Sequence, residues 1–193
     1  MVVRTAIRIF LLTLSLVLAT AGSVASFGPS SLVGDKALEF AMRDMSGSYV
    51  SITAMRGKVI VLNFWATWCP PCTVEMPGLD QLYHDYRADG LEVIGVSSDG
   101  SEVGIREFLS ETPVDFPILH DRSGRVTKLY GVNSLPTTFL IDRSGTVVNL
   151  FMGEQDWTSP RMRDRIESFL KRASGAPGKP GAVPVFFQKH KSL

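Results

Sequence analysis

Only two cysteines occur in the 193 residues, and the three histidines, His84, His120 and His190, stand far apart. A structural zinc centre takes about four ligands, normally completed by a second Cys or His pair, so the ligand supply argues against one. An excess of charge of one sign is also missing. Lys and Arg number 20 against 19 Asp and Glu, and without the first 25 residues the balance is 18 against 19. A surface this close to neutral offers no field to attract nucleic acid or an anionic membrane. The apolar stretch from Ile9 to Ala19, broken by Thr13 and Ser15, is shorter than the ~20 residues that cross a bilayer comfortably. Arg4 and Arg8 are not adjacent, which leaves a twin-arginine signal unsupported, and no cysteine follows the apolar stretch to carry a lipid.

What is present is ordinary globular material, 45% hydrophobic and 20% charged, enough for a core without disulfide staples. Residues 1–25 run from basic to apolar to small side chains, with Ala19-Thr20-Ala21 and Ser23-Val24-Ala25 as candidate cleavage sites. This is the order of a secretory signal, with an uncleaved N-terminal anchor as the competing reading. Residues 26–36 read as a Gly-, Ser- and Pro-containing linker and 37–172 as one folded domain. Residues 173–193, dominated at first by Gly, Pro and Ala, read as a disordered tail. Within that tail the apolar Val185-Phe186-Phe187 is expected to fray rather than dock.

Inside the domain the apolar period alternates between strand and helix. Short extended stretches flank Ser46-Gly47-Ser48 as a hairpin. Val59–Trp65 is apolar almost throughout, as a strand buried on both faces should be. Met76, Leu79, Tyr83 and Tyr86 share one helical face from Pro71 to Arg87, with Pro77 expected to kink it. Leu91–Ser97 is a strand, Ser101–Glu111 holds a helix, and Phe116–Leu119 is a short strand. A helix ends near Tyr130, a hairpin spans Thr137–Phe151, and a last helix carries Met162, Ile166, Phe169 and Leu170. The repeated Asp-Arg-Ser-Gly at 121–124 and 142–145 reads as shared turn chemistry rather than a duplicated domain. The order predicts an α/β fold: a mixed central sheet with helices on both faces, an N-terminal β-hairpin and an inserted βα segment.

The two cysteines form Cys69-Pro70-Pro71-Cys72 at the junction of the Val59–Trp65 strand and the following helix. Two thiols at this spacing can close into a disulfide and reopen. Cys69 precedes the helix, where the positive dipole end favours the thiolate that attacks disulfides. Cys72 lies in the first turn and is expected to be less exposed. Cys69 would form a mixed disulfide with a substrate and Cys72 would resolve it. Other uses of the pair remain open on these residues alone: a permanent structural disulfide across a very short loop, or Cu(I) held by soft thiolates.

The segment Phe64-Trp65-Ala66-Thr67-Trp68-Cys69-Pro70-Pro71-Cys72 with Glu75-Met76-Pro77 resembles the thioredoxin superfamily, and within it the exported TlpA/ResA-type thiol:disulfide oxidoreductases. The resemblance runs from about Val33 to Lys171 and takes in Leu135-Pro136-Thr137-Thr138-Phe139. It implies a thioredoxin-like fold, with Cys69 as nucleophile and Cys72 as resolving thiol. It also implies a cis Pro136 that presents the Leu135 backbone to an extended client. On residue pattern alone Pro136 equally opens a strand as a trans proline. Asn63 departs from the buried aspartate that cytosolic thioredoxins usually carry there. In the TlpA/ResA-like group a glutamate after the motif takes the proton-transfer role, which matches Glu75. The alternative for Glu75 is a first-turn acid favoured by the helix dipole. Trp68, Pro70 and Pro71 are expected to form the docking surface with Leu135 and Pro136, and Trp65 to be core.

The resemblance implies an enzyme that reduces protein disulfides outside the cytoplasm and needs no cofactor beyond the Cys69–Cys72 disulfide. Its clients would be the haem-binding cysteines of apocytochrome c or the thiols of copper-handling proteins. A membrane electron donor would recharge it, and the chain is expected to be a monomer. Competing functions are a disulfide-forming oxidase or isomerase and a Cu(I) metallochaperone. A peroxidase is disfavoured because the Pro, Thr and Arg set of a peroxidatic cysteine does not surround Cys69.

Overall fold

The computed structural model describes residues 28–172 and 186–187. The expected targeting segment, and the tail apart from Phe186 and Phe187, lie outside the described residues. Strand β3 (Val59–Trp65) is the centre of the main sheet. It runs parallel to β4 (Leu91–Ser97) and antiparallel to β6 (Thr137–Ile141). The sheet continues outward to β5 (Ile118–His120) on one side and to β7 (Val147–Met152) on the other. A separate two-stranded antiparallel sheet, β1 (Ala41–Arg43) with β2 (Tyr49–Ser51), is the expected hairpin.

Every residue of β3 is buried, and alternation sends its side chains to two different cores. Val59, Val61 and Trp65 pack with Met76, Leu79 and Leu82 of α1 (Pro70–Tyr86), with Ile105 of α2 (Glu102–Glu111) and with Ile166 of α4 (Pro160–Leu170). Ile60, Leu62 and Phe64 face the hairpin and α3 (Arg125–Leu129), where Tyr130 sits among Phe40, Phe64 and Phe139 and donates from its hydroxyl to the Leu38 carbonyl at 2.7 Å. Helices therefore cover both faces, as the pattern of periods predicts, and Trp65 is core. Helix α1 runs on through Pro77. The two Asp-Arg-Ser-Gly segments make two similar turns, with Gly124 N–H donating to Asp121 O and Gly145 N–H to Asp142 O, both at 2.8 Å.

Two boundaries differ from the sequence reading. Pro29 and Leu32 are buried in a 3-10 turn, Gly34 N–H donates to the Val147 carbonyl, and Lys36 bridges to Thr146. The packed domain thus starts near Pro29 rather than after a linker ending at residue 36, because one leucine in a polar stretch finds the second core. At the other end the backbone of Phe186–Phe187 forms β8, parallel to Phe151 and Met152 of β7, where fraying was expected. The outer edge of β7 offers unpaired backbone groups, and aromatic residues suit an extended partner.

Gly95 lies in β4 between Asn63 and Ile118 in register. A Cβ there would sit 2.7 Å from Ile118 Cδ1 and 3.1 Å from Trp65 Nε1. Gly95→Ala should cost about 1–3 kcal/mol by overpacking, seen as a lower urea midpoint with an unchanged m-value.

Candidate active site

Alternation along β3 that sends Val61 and Trp65 toward α1 also sends Asn63 there. On α1, Cys72, Glu75, Met76, Leu79 and Leu82 form the buried face. A polar strand residue and a carboxylate are thereby brought together inside an apolar core. Asn63 Nδ2 donates to Glu75 Oε1 at 2.7 Å and to Thr138 Oγ1 at 2.9 Å, Thr138 being its register partner on β6. The other carboxylate oxygen, Oε2, accepts from Gln155 N–H at 3.1 Å and from Trp157 Nε1 at 3.2 Å. Gly78 of α1 packs beside Trp157: a Cβ at Gly78 would be 3.5 Å from Trp157 Cβ, an ordinary van der Waals contact.

Glu75 is only 4% exposed. Burial pushes its carboxyl up from the ordinary 4.5 to about 7, against the pull of the donors from Gln155, Trp157 and Asn63. Desolvation outweighs three hydrogen bonds because the charged form loses nearly all its water. The group therefore exchanges its proton near neutrality.

Cys69 and Cys72 are joined as a disulfide with their Cα atoms 5.3 Å apart. Cys69 is the residue before the first turn of α1, and Pro70 and Pro71 are the first two helical residues. Proline carries no N–H, so half of the free donors that normally open a helix are missing here. The next, Cys72 N–H, turns to the Cys69 carbonyl at 2.9 Å, and Thr73 N–H makes the regular i→i−4 bond to the same carbonyl at 3.2 Å. Cys72 is fully buried and Cys69 6% exposed, in the order of access the sequence suggests.

Beside the disulfide opens a cleft of about 510 Å³, walled by Trp68, Cys69, Pro70, Pro71, Leu135 and Val132, with Ser98, Thr127, Asn133 and Ser134 as its polar side. Four of the five residues expected to bind substrate meet there. The fifth, Pro136, is buried behind a cis Leu135–Pro136 bond, and the wall is made by Leu135. Trp68 is 65% exposed, a large apolar side chain offered to solvent at the rim. The loop that carries it is tied down from β4. Asp99, 5% exposed, accepts from Thr67 N–H at 3.1 Å, from Thr67 Oγ1 at 2.6 Å and from Ser97 Oγ at 2.7 Å. His120 Nε2 lies 2.8 Å from the Asp99 carbonyl.

Sequence reasoning missed Thr138, Gln155, Trp157 and Asp99. Thr138 follows Pro136 in the strand, but nothing in the pattern gave it a partner. Trp157 and Gln155 lie in an irregular segment some 80 residues from Glu75. Asp99 lies two residues past β4, in Ser97-Ser98-Asp99-Gly100, and looks like any turn residue. Among the described residues no group of three or more His, Cys, Asp or Glu converges as a metal site.

Residues 33–150 match the AhpC/TSA family. The chain is 36% identical over 140 residues to the thiol-disulfide oxidoreductase ResA of Bacillus thuringiensis subsp. konkukian, covering 72% of this chain and 78% of that one. To ResA of Geobacillus thermodenitrificans it is 38% identical over 136 residues, 70% of this chain and 77% of the relative. Among solved structures it is similar to a Chlorobium tepidum protein assigned as thiol:disulfide interchange protein DsbE, at 35% identity and a TM-score of 0.67, over 72% of this chain and 97% of that one. It also resembles StoA of Bacillus subtilis, at 25% identity and a TM-score of 0.58, over 68% of this chain and 96% of that one.

The raised carboxyl predicts a pH dependence of stability. The unfolded chain releases the Glu75 proton near 4.5 and the folded chain near 7, so in that window the fold holds the extra proton and loses stability as pH rises. The loss from this one group is roughly 3 kcal/mol. In urea denaturation of the oxidised protein, the stability of Glu75→Gln relative to the parent should rise by about that amount from about pH 4 to about pH 8. A constant difference would mean that Glu75 ionises as it does in water.

Proposed function

The chain belongs to the AhpC/TSA family within the thioredoxin superfamily and is a ResA-like thiol:disulfide oxidoreductase, and we propose that it works as an exported reductase of protein disulfides. Its partners are proteins that carry thiols or disulfides. The observation that carries the reading is the buried Glu75 carboxylate one turn beyond the buried Cys72.

Reduction of a client proceeds in two steps. The Cys69 thiolate attacks a client sulfur, the client S–S bond breaks, and one client sulfur leaves while the other is held in a mixed disulfide. Cys72 must then lose its proton in a place that bulk water does not reach. Glu75 takes that proton, and the Cys72 thiolate attacks Cys69 Sγ. The Cys69–client bond breaks, the Cys69–Cys72 bond forms, and the client sulfur leaves as a thiolate that takes a proton from water. Two electrons pass from the enzyme dithiol to the client disulfide. A base whose proton affinity is matched to neutral pH suits this transfer.

The Pro70-Pro71 pair supports reduction over oxidation. A strong oxidant of this kind is one whose reduced, thiolate form is stabilised. Here two helix-opening N–H donors are absent and the next, Cys72 N–H, is engaged by the Cys69 carbonyl, so fewer hydrogen bonds hold a Cys69 thiolate. The uncharged cleft beside Cys69 suits an extended client segment, with Trp68 as a broad apolar rest. Clients with exposed cysteine pairs, such as apocytochrome c haem-binding segments or copper-handling proteins, fit this reading. A membrane-bound donor would return the electrons to the Cys69–Cys72 pair. Export rests on the basic, apolar, small-residue order of residues 1–25. No helix among the described residues is long and apolar enough to cross a membrane.

Incubated with a disulfide client, the reduced Cys72→Ser variant should accumulate a mixed disulfide on non-reducing gels and Cys69→Ser should form none. Trapping by Cys69→Ser instead would reverse the two roles. Pro71→Ala restores one N–H at the helix start. It should raise the reduction potential by about 30 mV, the equivalent of one hydrogen bond to a charged sulfur, measured by equilibration with glutathione. A parent potential near the about −120 mV of strong disulfide donors would overturn the reductase reading.

A further inference from the structure

Three donors reach the Glu75 carboxylate among the described residues, and they are not equivalent. Gln155 N–H and Trp157 Nε1–H, both on Oε2, can only donate. Were Oε2 to carry the proton, its O–H would point at two N–H groups. Oε1 meets one partner, the Asn63 carboxamide, at 2.7 Å. That partner can do either job: the carboxamide has a donor end and an acceptor end of nearly the same shape.

The rest of the Asn63 environment permits the exchange. The side chain is fully buried, and its Oδ1 has no hydrogen-bond partner among the described residues. The second contact of Nδ2 is Thr138 Oγ1 at 2.9 Å, a hydroxyl that accepts from an amide N–H or donates to an amide oxygen equally well. The far end of the amide is unpartnered among the described residues in either orientation; an unpaired NH2 there costs somewhat more than an unpaired oxygen, a difference that the hydrogen bond from a protonated Glu75 has to outweigh. The orientation then follows the proton on Glu75.

The geometry points to Asn63 as a reversible positioning residue: its carboxamide donates to Glu75 when the acid is charged and turns over to accept from it when Glu75 holds the Cys72 proton. The turn is a half rotation about the last side-chain bond. The Glu75 Oε1–H then donates to Asn63 Oδ1, the Thr138 hydroxyl changes from acceptor to donor, and Gln155 and Trp157 keep Oε2. No bond to a heavy atom is made or broken. The acid is thus held in one place in both protonation states. An aspartate at position 63 could not do this without placing a second carboxylate against the first. The inference rests on the proton-relay reading for its use in catalysis, but the turn itself depends only on the protonation of Glu75.

The test is solution NMR of the oxidised, isotope-labelled full chain, following the Asn63 side-chain NH2 and the Glu75 carboxyl carbon through a pH series centred on about 7. The NH2 resonances should move with the midpoint of the Glu75 carboxyl, and their cross-relaxation to the Thr138 side chain should be lost on the acid side. In Glu75→Gln the same resonances should stay fixed. A titrating Glu75 beside an Asn63 amide that keeps its contacts at every pH would overturn the inference. Asn63→Ala supplies a second reading. A partner serving both states should leave the Glu75 midpoint within about half a pH unit while exchange slows. A donor serving only the charged state should raise the midpoint by about one unit or more on removal, and that outcome also rejects the turn. Should Glu75→Gln exchange disulfides at the parent's rate while the parent's Asn63 still turns, the relay fails and the positioning device stands.

Discussion

One carboxylate buried against the apolar face of a helix shapes the active end of this molecule. Left alone in the core, Glu75 would be expelled or permanently protonated. Three donors from two separate segments keep it: Asn63 from β3, and the Gln155 backbone and the Trp157 indole from the stretch between β7 and α4. Each contact is an ordinary hydrogen bond. Together they stop short of cancelling the desolvation, and the balance leaves the group near 7. The surrounding fold can be read as what is needed to bring those segments together: the central strand, helix α1 packed beside Trp157, and the β6 strand that carries Thr138.

The disulfide occupies the complementary position. It lies where a fully buried strand gives way to a helix, with one sulfur-bearing residue at the helix start and the other on the buried face. Two prolines between them weaken the usual donation from the helix end, and the Asp99 knot holds the preceding loop, so the dipole acts from a fixed place. The cleft opens beside Cys69, walled by Trp68 and Leu135. Cys69 lines the cleft, while Cys72 is fully buried with the Glu75 carboxylate one turn further along the same buried face.

Much of the architecture was legible because it depends on local periodicity. The all-apolar Val59–Trp65 run, the helical face after Cys69 and the Asp-Arg-Ser-Gly turns each announce themselves within a few residues, and the thiol pair stands out by being alone. The ends were less legible. Leu32 sits in a stretch whose composition suits a linker, and only the presence of a waiting second core shows that it packs. Phe186–Phe187 lies in a composition that discourages order, yet the open edge of β7 accepts its backbone.

The amino-acid sequence by itself determined the chemistry: two thiols at helix-start spacing, an acid one turn on, and an amide where an acid is usual. Local patterns carry that information because spacing along a strand or helix sets which face a side chain takes. Tertiary structure alone decided how the acid behaves. Its partners come from residues 63, 155 and 157 and its depth from the packing of α1 on the sheet. Proton affinity is set by desolvation and by contacts across long stretches of chain, and neither exists until the strands and helices have closed around the carboxylate.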